Sequence, residues 1–183
     1  MLSQKIIKIL RAVGDKAAEK VATTLSIMLN RKVNVKISGL ISLQPEALLD
    51  LFTTEKREIV VAISRISEGL RGFALLICPV SEASRLTEYL VHEISADHEE
   101  IYESAFEEFS NIVLGNFISE MANMLGITIF YIKPQVLIDE VNAIIDGIIA
   151  FLSELQEEVY VYYLNFEDLL VNNIKLIIIP EVT

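Results

Sequence analysis

At 183 residues, of which 52% are hydrophobic and 22% charged, the chain is too apolar for a disordered polymer and long enough to bury a sizeable core. A formal net charge of −11 argues against a nucleic-acid binder, which needs a basic face to release counterions from phosphates, and equally disfavours an anionic membrane surface. A protein partner with local positive charge suits that balance better.

Ile7, Leu10, Val13, Ala17, Val21, Leu25 and Met28 recur at helical spacing and predict a first long helix over residues 3–29. Lys alternates with apolar residues in Met1–Arg11 as at the start of an amphipathic helix, and no small-residue cleavage site follows, so no secretory leader is expected. Val33–Ser38 alternates as a strand does, and Pro45 opens a short helical segment through Phe52. Glu58–Ser67 and Leu70–Pro79 read as two strands joined by a turn at Glu68-Gly69. A single cysteine, Cys78, excludes an intramolecular disulfide; inside apolar Phe73–Pro79, with His92 and His98 in other segments, it is expected as a buried strand residue. Ser81–Ile94 reads as a connecting helix, followed by the acidic stretch Asp97–Glu100.

A second long helix is predicted over about 99–125, with Gly126 where a C-terminal cap belongs. A strand is expected at 127–133, a helix after Pro134 through about 152, and strands at 157–166 and 172–179. No apolar run reaches the roughly 18 uncharged residues of a membrane helix. Ile138–Leu152, the strongest candidate, is broken by Asp139, Glu140 and Asp146. A soluble, cytoplasmic chain without membrane insertion is the expectation.

Each half thus runs helix, strand, helix, strand, strand. Shifting by 96 residues places Leu10 on Phe106, Val13 on Phe109, Ala17 on Val113, Val21 on Phe117, Leu25 on Met121 and Met28 on Met124. The expectation is an α+β fold in which two pseudo-symmetric halves, about 1–96 and about 97–183, share a mostly antiparallel sheet with helices packed on it.

At about 100° per residue, the core stripe of the second long helix holds Phe106, Phe109, Val113, Phe117 and Met124. The opposite face holds Ser104, Glu108, Asn111, Gly115, Ser119 and Ala122, which are small or polar where a merely solvated face usually carries long charged side chains. Gly115 costs about 1 kcal/mol relative to Ala inside a helix. Composition and spacing leave two readings open. Either Glu108 and Asn111 are a solvated pair beside a chance glycine, or the face is built to receive a close-approaching partner.

Ser104, Glu108, Asn111 and Pro134 also stand at the intervals of a known signature: Asp or Ser, three residues, Glu, two residues, Asn, 22 residues, Pro. With the surrounding string ESAFEEFSNIVLGNFISEMANMLG, the chain resembles the CheC/CheX/FliY family of phosphatases, which act on the phosphorylated aspartate of CheY-like response regulators in chemotaxis and two-component signalling. The resemblance spans both halves. Shifting the signature by 96 residues gives Lys8, Ala12, Asp15 and Ser38, so the first of the two sites that family members can carry is expected to be inactive, with Glu19 where Gly115 stands in the second. One live site resembles the CheX forms, and the two-half length is closer to the CheC forms. FliY-like proteins add a regulator-binding peptide and a switch domain, which this length is not expected to hold.

The resemblance implies a hydrolase in which Asn111 orients the attacking water and Glu108 pairs with the regulator's active-site Lys. Ser104 would cap or support the helix, and Pro134 would shape the adjacent loop. Mg²⁺ would come from the regulator, with no cofactor or metal site of the chain's own. It also implies a rival role, as a regulatory partner of the receptor deamidase CheD. A non-catalytic flagellar switch component is a further alternative. A hydrolase using Glu107 and Glu108 as a carboxylate pair fails, because adjacent helical residues point about 100° apart.

Overall fold

The first helix starts where a side chain can satisfy its free amides: Ser3 Oγ accepts from the Ile6 N–H at 3.3 Å. In the computed structural model, which describes residues 3–51, 58–91, 99–155, 157–167 and 173–181, helix α1 spans Gln4–Met28. After it come β1 (Asn34–Leu43), a 3-10 helix (Pro45–Leu51), β2 (Glu58–Glu68), β3 (Gly72–Pro79) and α2 (Val80–Leu90). The remainder is α3 (Glu99–Leu125), β4 (Phe130–Tyr131), β5 (Gln135–Glu140), α4 (Val141–Leu155), β6 (Val159–Glu167) and β7 (Ile174–Pro180). Phe52, His92, Ile94, Asp97 and His98 lie outside the described residues.

The strands pair antiparallel in one sheet of order β1-β6-β7-β3-β2-β4, with β5 also paired to β2. This is the α+β class expected. Exchanging β5, β6 and β7 for β1, β2 and β3 leaves the strand order unchanged when read from the opposite edge.

Both faces of the sheet are covered, which explains the nearly continuous apolar strands. Strand residues alternate between the faces. Val60, Ala62, Leu76, Tyr162 and Ile178 face α1, α2 and α3, joined there by Leu25, Leu86, Phe109 and Phe117. Val61, Leu75, Ile77, Val161 and Ile177 face the other way, against Leu48 of the 3-10 helix and Ile145 and Leu152 of α4. Cys78 is buried on the first face as expected, and burial pushes its thiol pKa up. Among the described residues, no helix is long and apolar enough to cross a membrane.

Three expectations need correction. First, the strand placed at 127–133 is only the two-residue β4, and the segment after Pro134 begins as a strand, β5, with helix α4 starting at Val141. Proline favours the first turn of a helix, but it is equally tolerated at a sheet edge, where its missing N–H costs no ladder bond. Here Pro134 interrupts the edge between Tyr131, opposite Ile66, and Gln135, opposite Ile63. The ladder is bridged by Ile132 N–H donating to the Arg65 carbonyl at 2.9 Å and by the Ser64 hydroxyl donating to the Ile132 carbonyl.

Second, Met124 is 45% exposed, and Met121 and Leu125 make the core contacts of the last turn. Third, the buried stripe of α3 is wider than predicted and includes Leu114 and Ile118. This helix packs on α1 as well as on the sheet, with the Thr24 hydroxyl donating to Asn116 Oδ1 at 3.4 Å. Gly126 does end α3: its φ of +65° is left-handed, and Ile127 N–H donates to the Ala122 carbonyl at 3.1 Å.

Phe117 is fully buried against the Tyr162 ring, with centroids 5.6 Å apart. Urea unfolding of Phe117→Ala should show a loss of about 3–5 kcal/mol. Met124→Ala, on the same predicted stripe, should lose less than about 1 kcal/mol.

Candidate active site

The core stripe of α3 commits one side of the helix to the sheet and so fixes what the other side presents. Phe106, Phe109, Val113 and Phe117 are buried, and the Ser110 hydroxyl turns back to the Phe106 carbonyl at 2.6 Å. On the outer face Ser104 and Glu108 are exposed, while Asn111 and Gly115 are half-buried. Glu108 and Asn111 are three apart and therefore neighbours on the helix surface. Ser104 lies in the second turn of a helix that starts at Glu99, a position that suits the supporting role of the two expected for it rather than the capping one.

The half-buried side of this face is closed by the edge segment running from β4 into β5. Strand alternation puts Tyr131 and Lys133 on one side of that segment. The Tyr131 hydroxyl donates to Asn111 Oδ1 at 3.3 Å, and Lys133 Nζ forms an ion pair with Glu107. Gly115 now has a physical reason. A Cβ built there would lie 2.7 Å from the Tyr131 hydroxyl oxygen but 3.7 Å from the ring carbon bearing it. Pro134 is buried next to this segment, at the break between the two edge strands.

The electrostatics follow from the same contacts. Burial, with a smaller contribution from the Glu108 carboxylate, raises the pKa of the Tyr131 phenol, which stays protonated and able to donate at neutral pH. The Lys133 ammonium is also held above its ordinary pKa, first by its hydrogen bond to Glu107 and then by that carboxylate's charge. Glu107 therefore occupies Lys133, and Glu108 has no ion-pair partner among the described residues. That division of labour also disposes of the two glutamates as a paired acid and base. Tyr131, Lys133 and the role of Glu107 were missed from sequence, although their positions just before Pro134 on an alternating segment were a usable signal.

The shifted signature falls on a different arrangement. Lys8 and Ala12 are exposed on α1, and Ser38 is the extra residue of a bulge in β1, between Ile37 opposite Leu164 and Gly39 opposite Tyr163. Asp15 accepts from the Tyr162 hydroxyl at 2.7 Å, and that ring, only 4% exposed, lies against Gly14. Glu19 is paired with Lys16 at 2.8 Å on the surface. The structure brings together Glu108, Asn111, Gly115 and the segment around Pro134, but among the described residues gathers no comparable open group around Asp15. Among the described residues, no three His, Cys, Asp or Glu side chains are grouped to hold a metal ion.

No family model matches the chain. A curated relative, "CheY-P phosphatase CheC" of Bacillus subtilis, is 25% identical over 165 residues, covering 87% of this chain and 79% of the relative. Thermotoga maritima FliY has a similar solved structure, with a TM-score of 0.71 and 19% identity over 100% of this chain and 92% of that one. The chemotaxis protein CheX of Desulfovibrio desulfuricans aligns with a TM-score of 0.59 and 11% identity over 92% and 97% of the two chains. The FliM middle domain of H. pylori shares the fold as well, with a TM-score of 0.63 and 10% identity over 98% and 94%. The structural likenesses establish the fold. With the curated relative, they bear out the resemblance to the CheC/CheX/FliY family read from the sequence.

The contact at Gly115 makes a testable prediction. Alanine should gain about 0.5–1 kcal/mol from helix propensity alone. In the wild-type background that gain should be lost to the hydroxyl contact, and in a Tyr131→Phe background it should appear in full. Thermal or urea unfolding of the two single variants and the double variant would measure the coupling.

Proposed function

Because its kin in sequence and fold are of the CheC/CheX/FliY kind, we propose that this chain hydrolyses the aspartyl phosphate of a CheY-like response regulator in the cytoplasm, using the outer face of α3. The observation that carries this reading is the pairing of an exposed Glu108 with a half-buried, tethered Asn111 on the side of α3 turned away from the core. The curated relative's name, a phosphatase of CheY-P, supports the substrate class.

The reaction needs little from the chain beyond placement. An acyl phosphate is already reactive, and water attacking phosphorus in line expels the aspartate carboxylate, giving inorganic phosphate and a free carboxyl group. The regulator supplies Mg²⁺ and a Lys that neutralise the phosphoryl oxygens. Asn111 holds the water, because a carboxamide can both accept from it and donate to a neighbouring oxygen. Glu108 pairs with the regulator's Lys and sets the docking register, which Glu107 favours by taking the ion pair with Lys133. Holding the nucleophile in line, without covalent chemistry, is a sufficient strategy for phosphoryl transfer. The α1 positions Lys8, Ala12, Asp15 and Ser38 do not form a second site in this reading, since the acid and the amide are both missing.

The test follows decay of the phosphorylated CheY from the same organism in Mg²⁺, with and without the chain. Wild type should accelerate decay. Asn111→Ala should lose about two to three decades of that acceleration, the cost of removing one well-placed polar group. Glu108→Ala should weaken complex formation as well as rate. Near-normal turnover by Asn111→Ala would remove the water-holding role. No acceleration by wild type would favour a binding role, for which stoichiometric complex formation with a CheD homologue is the next measurement.

A further inference from the structure

We infer that Tyr131 is a positioning residue for the Asn111 carboxamide, fixing which end of the amide faces the reacting water. The inference rests on the phosphatase reading of α3 and adds a residue from a separate element, β4, that the spacing motif does not contain.

An asparagine on a helix face can rotate about its terminal torsion, which is broad and roughly two-fold, so both amide ends are presented unless something selects one. Tyr131 selects. A phenol is a better donor than acceptor, because its oxygen lone pair is delocalised into the ring, so it favours the oxygen end and meets it at Oδ1, 3.3 Å away. That leaves the second lone pair of Oδ1 and both N–H donors of Nδ2 for water and a phosphoryl oxygen. At 3.3 Å the bond is long for an O–H···O pair, so its effect should be modest.

The surroundings are arranged around this contact. The helix carries no side chain at Gly115, where even a methyl carbon would meet the hydroxyl oxygen at 2.7 Å. The base of the tyrosine is fixed by the pairing of Tyr131 with Ile66 on β2. A tyrosine beside α1 makes the opposite use of a similar contact. Tyr162 donates to Asp15 from a ring that is 4% exposed, filling the space beside α1, whereas Tyr131 is half-buried and leaves Asn111 partly open to solvent.

Tyr131→Phe keeps the ring and removes only the donor. Steady-state hydrolysis of the phosphorylated regulator should show kcat falling about 3- to 10-fold, with the half-saturating regulator concentration unchanged within about twofold. NMR relaxation of the Asn111 side-chain amide in the free protein should show a lower order parameter in the variant than in wild type. Gly115→Ala, which displaces the hydroxyl, should lower kcat in wild type and lower it no further in Tyr131→Phe. Unchanged kcat, or an equally ordered Asn111 amide in Tyr131→Phe, overturns the inference while leaving the phosphatase reading intact. A wild-type chain that does not accelerate dephosphorylation overturns the phosphatase reading, and the catalytic role of Tyr131 falls with it.

Discussion

Burial of the antiparallel sheet on both faces is the constraint from which the rest follows. With Val60, Ala62 and Leu76 on one side and Val61, Leu75 and Ile77 on the other, neither face can meet water. Each covering helix must therefore commit an apolar face inward. For α3 the largest side chains so committed are three buried phenylalanines, Phe106, Phe109 and Phe117. It sets the rotation of the helix about its axis, and hence the outward direction of Glu108 and Asn111. What the outer face presents thus depends on packing beneath it.

A sheet covered on both faces leaves its edges as the places where the backbone can depart from regular pairing. On the β2 edge that departure is the break at Pro134, where a residue without an N–H can sit at little cost. The break turns the chain so that Tyr131 and Lys133 meet α3 from the side. One neutral donor and one cation are thereby delivered to neighbouring turns of the helix. The cation is taken up by Glu107, and the donor meets Asn111. Glu108 lies between them without an ion pair of its own among the described residues, a state that an exposed carboxylate tolerates because water solvates it.

The contact beside α1 shows similar groups arranged to a different end. Around α1 a tyrosine again meets a polar helix residue, Asp15, and again lies against a helix glycine, Gly14. There the tyrosine comes from the interior strand β6 and is fully packed. The tyrosine by α3 comes from a short edge strand and remains half-exposed. An interior strand supplies a buried structural bond, and an edge strand supplies a bond at the rim of an open face.

Much of this was legible in the sequence because it depends on periodicity. The boundaries of α3, the cap at Gly126, the β2–β3 hairpin, the burial of Cys78 and the small polar face of α3 all follow from local spacing and turn chemistry, which act within a few residues. The α+β class followed from the order of those elements. Other features depend on contacts between residues far apart in the chain. Pro134 is compatible with a helix start or an edge-strand break, and only pairing to β2, some 70 residues earlier, decided for the strand. Likewise Gly115 looked costly from sequence, and its reason appeared only when Tyr131 was folded back onto α3. The sequence by itself determined which elements form and which residue types α3 turns outward, because hydrophobic period and capping are local. Only the tertiary structure decided which side chains meet across that face, because those distances depend on how the sheet closes.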